Sequence, residues 1–491
     1  IPMTANDIRD AIETFARYGV PKERIFNEVM RARYLDYVLF LNPTNVQYGI
    51  SIDDLYENMK KTADKLGLYE GDADTYAKVY TLALRVEPMV FAPDVPDASE
   101  EIHEILKSAV KKASEAGNTI LFTGADQYLP FLDEAFKELG GKRIAVAVKE
   151  KAWKERLQLV FPRGRAMVMD ELADDTERYD YIFDLESEGV AHGAAVRHIL
   201  ADQGSMDLLL PYDDLQADDE IASQARKNLA DTRKLASYYD TEIEGKEFAF
   251  LRFAGKGQEQ VTFGESGFVD GEFFGYDQLK LPMDMFIEAE DWNYDLYAYN
   301  GDPTIQMLLS GNVVQVEHGV HQGFSQVLPT CQAPGTYIVL PQEAIADSGI
   351  REDLLTSIST EAEGEATLAN GGDLVLTVAE GKVHTAVVPQ GLSLLLGDHI
   401  LAFRPQGIYS AEYLKLYLDG QVGQLFLDTM KAGETYHLTA SRILRIPMPK
   451  ASPERIEMTT RLCKETTKSL AAAEAAWRKA KRDGVGLMMG K

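Results

Sequence analysis

Four short apolar segments near the middle of the sequence each run into a loop that could carry chemistry. Thr119-Ile-Leu-Phe-Thr123 leads into Gly124, and Arg143-Ile-Ala-Val-Ala-Val148 into Lys149-Glu150. Arg165-Ala-Met-Val-Met169 leads into Asp170, and Tyr181-Ile-Phe183 into Asp184. The segments between them have helical spacing over 102–116, 129–139 and 151–160, the second closed by Gly140-Gly141. Short strands alternating with helices of 10–15 residues build an open, mostly parallel α/β sheet, and such sheets bind ligands beyond the carboxyl ends of their strands. The loops after Thr123, Val148, Met169 and Phe183 are therefore where a site is expected. Taken alone, Asp126, Asp170 and Asp184 read as helix caps or solvent-facing acids in a very acidic protein.

Composition narrows the chemistry. The chain has 491 residues, 45% hydrophobic and 26% charged, ordinary globular values. The two cysteines, Cys331 and Cys463, lie far apart. A disulfide framework is excluded, neither a cysteine zinc site nor any other metal is expected, and a reducing cytoplasm is the natural setting. No apolar run reaches the ~18–20 residues of a membrane span, and no leader-like segment opens the sequence. The first residue, Ile1, points to a processed or trimmed start. The net charge of −28 argues against a simple nucleic-acid binder. It is unevenly spread. From Ser441 to Lys491 twelve Lys and Arg face five Asp and Glu, a net +7, which leaves −35 on the other 440 residues. Between Lys142 and Arg165 eight cations face two acids, and a solvated helix face is the plainer reading of that stretch.

Further elements must position these loops. Residues 1–98 read as helical, with runs over 34–41, 52–66 and 76–85 and a first helix opening at Thr4-Ala-Asn-Asp. A proline-rich linker follows at 91–98. Residues 99–256 form the α/β domain, continuing with a helix over 194–202, a strand at Met206-Asp-Leu-Leu-Leu-Pro211, a long helix over 220–239 and a final strand at Glu247-Phe-Ala-Phe-Leu-Arg-Phe253. Residues 257–452 read as a mixed, β-rich domain with frequent Gly turns. Residues 453–491 form a terminal helix and tail, with Ile456, Cys463, Leu470 and Trp477 spaced by sevens as in a coiled-coil seam.

Two stretches resemble the DNA-modifying machinery of type I restriction–modification systems, in the family's order along the chain. Residues 100–255 resemble the adenine-N6 DNA methyltransferase of the modification subunit. That resemblance implies a Rossmann-like sheet, with Gly124, Asp126 and Asp170 as the positions that would hold S-adenosylmethionine. The family's first loop is Gly-rich, whereas Gln127 and Tyr128 stand here where small residues are expected. Its fourth strand carries Asn/Asp-Pro-Pro-aromatic, which grips the target amine and stacks the flipped base. Here Asp184-Leu185-Glu186-Ser187 retains the first position and lacks both prolines and the aromatic. The resemblance thus implies a fold whose catalysis has decayed and which needs no cofactor; were it active, Asp184 would take the amine-binding role.

Residues from about 310 to 483 resemble a target-recognition domain and spacer helix of a specificity subunit. The resemblance rests on Val316-Glu-His318-Gly319-Val-His321, Gly372-Asp373-Leu-Val-Leu-Thr377, Gly381-Lys382, Phe403-Arg404-Pro405, Ala411-Glu-Tyr413-Leu414 and Leu444-Arg-Ile446-Pro447-Met448-Pro449 before the long helix. It implies double-stranded DNA and restriction–modification subunits as partners, with no membrane partner. His318, His321, Lys382, His384, Arg404, Lys431 and His437 are the implied DNA contacts, most of them positioning rather than reading sequence. Three functions are expected in turn: a DNA-binding or scaffold protein on an inactive methyltransferase fold, an active adenine-N6 methyltransferase with atypical motifs, or an acidic DNA mimic that regulates such a system.

Overall fold

The computed structural model describes residues 2–185, 196–212, 215, 220–269, 272–288, 292, 299, 303–309, 316–317, 323–432, 435–436, 438–449 and 452–490. The chain forms two compact units, Ile1–Trp292 and Asn293–Lys491.

The first unit opens with helices whose ends are set by side-chain caps. Thr4 accepts from the Asp7 amide, and Asp7 returns the bond to Thr4, closing a capping box ahead of Ala5–Arg17. Ser51, Asp72 and Ser99 cap Ile52–Lys61, Ala73–Arg85 and Glu100–Glu115 by accepting from the amide three residues on. Helix Ile25–Phe40 runs through the middle of this bundle and buries Ile25, Val29, Ala32 and Leu35 against Phe15, Met59, Tyr76 and Val79.

Behind the bundle lies a nine-stranded sheet. Its strands are β1 (Thr119–Thr123), β2 (Arg143–Val148), β3 (Arg165–Val168), β4 (Tyr179–Leu185), β5 (Leu200–Pro211), β6 (Leu235–Ile243), β7 (Lys246–Phe253), β8 (Gln260–Val269) and β9 (Glu272–Pro282). The order is β3-β2-β1-β4-β5-β7-β6-β8-β9. Strands β1 to β5 pair in parallel, and β7 enters antiparallel between β5 and β6. The near-continuous apolar runs of β1 and β2, covered by helices, are what a parallel sheet buried on both faces demands. Order and direction make this an open, parallel-rich Rossmann-like α/β sheet.

Two elements differ from their expected form. A helix was expected over 194–202; residues 194 and 195 lie outside the described ones, Arg197–Ile199 form a single 3-10 turn, and β5 begins at Leu200. The expected long helix over 220–239 ends at Asp231. The chain turns at Arg233, whose φ is +55°, and returns as β6. Both changes have one cause: β5 and β6 each gain a ladder partner on two sides, and backbone pairing outweighs local helical spacing. Through β8 and β9 the sheet continues past residue 257, and Trp292 closes the unit by packing edge-on against Tyr238 and Phe286.

The second unit is built of antiparallel sheets and helices. One four-stranded sheet runs Phe324–Gln326, Ile400–Pro405, Leu374–Ala379, Lys382–Val387. Its alternation divides two cores. Leu374, Leu376 and Phe403 point toward Leu414, Leu418, Phe426 and Ile443, whereas Val375, Ala386 and Ala402 point toward Leu340, Ile345 and Leu394. Helix Ala411–Asp419 covers the first face, and the 36-residue helix Pro453–Met488 packs on it through Ile456 and Cys463.

Candidate functional site

In the order β3-β2-β1-β4-β5 the winding reverses between β1 and β4, which is where an open α/β sheet leaves a ligand crevice. The register places Thr123 beside Asp184 at the end of this pair. Gly124 follows with φ +61°, and a Cβ built there would stand 2.0 Å from the Leu185 carbonyl oxygen. The position demands glycine for its left-handed backbone and for its closeness to β4.

The groups around this mouth are engaged by the chain itself. The Gly124 amide donates to the Met169 thioether at 3.4 Å, a weak acceptor. Gln127 Nε2 spans the mouth, donating to the Leu185 carbonyl at 3.2 Å and to the Gly124 carbonyl at 3.4 Å. Tyr128 turns into the core. Its ring meets Phe183 edge-on, and its hydroxyl donates to the Thr123 carbonyl at 2.6 Å. Burial pushes that phenol far above its usual range, so it stays a neutral donor.

Each expected cofactor residue has a definite place. Asp126 accepts from the Lys149 amide at 2.6 Å and the Glu150 amide at 3.2 Å, tying the β1 loop to the end of β2. Asp170 is exposed in the 3-10 turn Met169–Asp174. Its neighbour Glu171 pairs with Lys154 at 2.6 Å, and that bond holds the Glu171 carboxyl below its ordinary range. Asp184 is fully buried and accepts from the Thr123 hydroxyl. Glu186 and Ser187, expected to follow the amine-binding position, lie outside the described residues.

A nucleotide-bearing methyl donor needs bare backbone amides for its carboxylate and a free acid for its ribose. Here the Gly124 amide meets sulfur, each Asp126 oxygen accepts a backbone amide, and Gln127 donates to the Leu185 carbonyl at the end of β4. Among the described residues no cluster of three or more His, Cys, Asp or Glu is placed to hold a metal.

No protein-family model matches the sequence, and no curated protein matches it. Among solved structures, the chain is similar to the type IIG restriction endonuclease BpuSI, at 10% identity over 90% of this chain and 72% of that one, with a TM-score of 0.38. It is similar also to a modification subunit of a putative type I restriction enzyme from Vibrio vulnificus YJ016, at 12% identity, 44% and 57% coverage and a TM-score of 0.28. A third neighbour is a TehB-like SAM-dependent methyltransferase from Corynebacterium glutamicum, at 16% identity, 37% and 100% coverage and a TM-score of 0.22. The structural neighbours include restriction–modification enzymes and methyltransferases. At these identities the likeness is one of fold.

The expected DNA contacts lie in the second unit and are dispersed. Lys382 and His384 share one face of the edge strand Lys382–Val387, just past a turn whose Glu380 and Gly381 both have positive φ. Lys382 is exposed, while His384 lies 3.5 Å from Asp347. Arg404 forks onto the buried Asp373 with bonds of 3.0 and 2.9 Å, a geometry that fixes the guanidinium in place. Lys431 sits over the Tyr436 ring and 3.5 Å from Asp428. His318, His321 and His437 lie outside the described residues.

Sequence reasoning missed Met169 and the Leu185 carbonyl, because both meet Gly124 only through the register of distant strands. It also missed a buried ion cluster on β5. There Asp207 accepts from Lys112 at 3.0 Å and from Tyr181 at 2.7 Å, with Arg252 at 3.8 Å. A lone acid within the apolar run 206–211 was the available signal.

Proposed function

We propose that this chain is a DNA-binding or scaffold protein of a restriction–modification-like system, built on an adenine-N6 methyltransferase fold that no longer transfers methyl groups. The observation that carries the reading lies at the exit of β1 and β4, where the Gln127 amide bridges the Gly124 and Leu185 carbonyls. An exocyclic amine is a weak nucleophile, so its methylation depends on exact orientation and on acceptors for the charge it develops. Asp184, the one acid left at the amine-binding position, is committed to Thr123 inside the sheet. Docking on duplex DNA and on restriction–modification subunits is the remaining role. It draws support from the order of domains along the chain and from the basic terminal stretch.

Calorimetry with S-adenosylmethionine tests this directly. The expected result is no binding heat up to millimolar donor. Micromolar binding, or methyl groups appearing on adenine in incubated DNA, would overturn it in favour of an active methyltransferase with Asp184 on the amine. A salt-sensitive nuclease or methyltransferase partner without any DNA affinity would instead favour the acidic DNA mimic.

A further inference from the structure

The terminal helix changes character along its length. In its first half, Ile456 and Cys463, 3% and 1% exposed, hold it to helix Ala411–Asp419, and Thr460 bonds Ser410 at 2.5 Å. At Glu474 the side toward the body of the unit is already polar, the carboxylate accepting from Ser348 at 2.6 Å. One turn later it is basic. Arg478, Lys481 and Arg482 line one wall of an open groove of about 980 Å³, and Arg351 and Asp353 line the other.

Arg351 is answered by Asp353, the only acid among the lining residues, at 2.7 Å. Among the described residues no carboxylate comes within ion-pair distance of Arg478, Lys481 or Arg482. Lys481 has the Trp477 ring 5.9 Å away. Asp353 also feels Arg478 across the groove, so one acid faces four cations, and in a chain of net charge −28 such an excess is not needed for solubility. Their mutual repulsion falls when an anion enters the groove. Arg478 and Arg482 stand one helical turn apart, about 6 Å. Guanidinium forks suit phosphate oxygens in pairs, and the lysine between them adds a point charge.

We propose that this groove holds the sugar–phosphate backbone of duplex DNA, with Arg478, Lys481 and Arg482 as its phosphate contacts. The inference rests on the DNA-binding reading above and names a surface for it. Such contacts fix register and orientation and carry no sequence information.

The test is fluorescence anisotropy of the full chain with a labelled duplex of about 20 base pairs, titrated between 50 and 200 mM salt. Removing three phosphate contacts in Arg478→Ala/Lys481→Ala/Arg482→Ala is expected to lower the slope of log K against log salt by about 2–3. Affinity should fall alike for unrelated sequences. Arg478→Lys/Arg482→Lys retains the charge and should keep the slope, which separates loss of contact from loss of fold. An unchanged slope in the triple variant overturns the groove and leaves the DNA-binding reading standing. Absence of duplex binding by the unaltered chain overturns both. Salt-sensitive self-association that disappears in the triple variant, with DNA binding unaltered, assigns the groove to an acidic protein surface and overturns the proposal.

Discussion

Gly124, Asp126 and Gln127 show how a few residues decide whether a crevice is open. Each has the type a ligand site could use, and each bonds a neighbouring segment: Gly124 to Met169, Asp126 to the β2 exit and Gln127 to Leu185. A second residue-scale feature is Asp133, on helix Leu132–Glu138. One carboxylate oxygen accepts from the Met89 amide at 2.9 Å, and the other is buried without a partner. Burial, helped by Glu87 and opposed by the Met89 bond and Arg33, pushes its pKa up to about 7. The ionised form is therefore disfavoured in the folded chain. Its penalty is absent below the unfolded value of about 4, grows as pH rises toward 7, and is constant above. Asp133→Asn can still accept from Met89 and removes the titration. The difference in Tm between the variant and the unaltered chain should shift in the variant's favour from pH 4.5 to pH 7.5 and level off beyond. A flat difference across that range would contradict the assignment.

At the scale of elements, the terminal helix is anchored at one end. Met458, Leu462, Leu470 and Trp477 are 43–67% exposed, so the seam expected from the heptad spacing is buried only at Ile456 and Cys463. Ile456→Ala should cost about 2–4 kcal/mol, read as a lower denaturant midpoint. Trp477→Ala should change it by less than about 0.5 kcal/mol. Equal losses from the two substitutions would show that the far half of the helix is packed as well. The elements that sequence misjudged were helices over 194–202 and 220–239. Tyr238-Tyr239 and Thr241 favour a strand, yet the apolar spacing also fits a helix, and only the neighbouring ladders decide between them. Strands β1 to β4 were legible because their apolar runs are bounded by glycines and charged loops.

At the scale of the molecule, the sheet joins segments that composition separates. The shift to Gly-rich sequence near 257 suggested a new domain, but β8 pairs with β6 across it and Trp292 seals the same core. A chain of residues 1–292 should be soluble and melt in one cooperative transition. A chain of residues 1–256 lacks β8 and β9, leaves β6 as a bare edge, and should aggregate. A soluble, cooperatively melting 1–256 would count against this division.

What the sequence determined by itself is the kind and order of most elements, the apolar faces they bury, the absence of a cysteine framework and the concentration of positive charge at the end of the chain. These follow from local pattern: periodicity, capping residues and composition need no partner to be read. Tertiary structure alone decided that Gly124 lies against a carbonyl 61 residues away, that Asp126 closes a loop, that Arg404 is spent on Asp373, and that Arg478, Lys481 and Arg482 line a groove with Arg351 and Asp353. The reason is that strand register sets distances between residues far apart in the chain, and a side chain's chemistry depends on which groups those distances bring within reach.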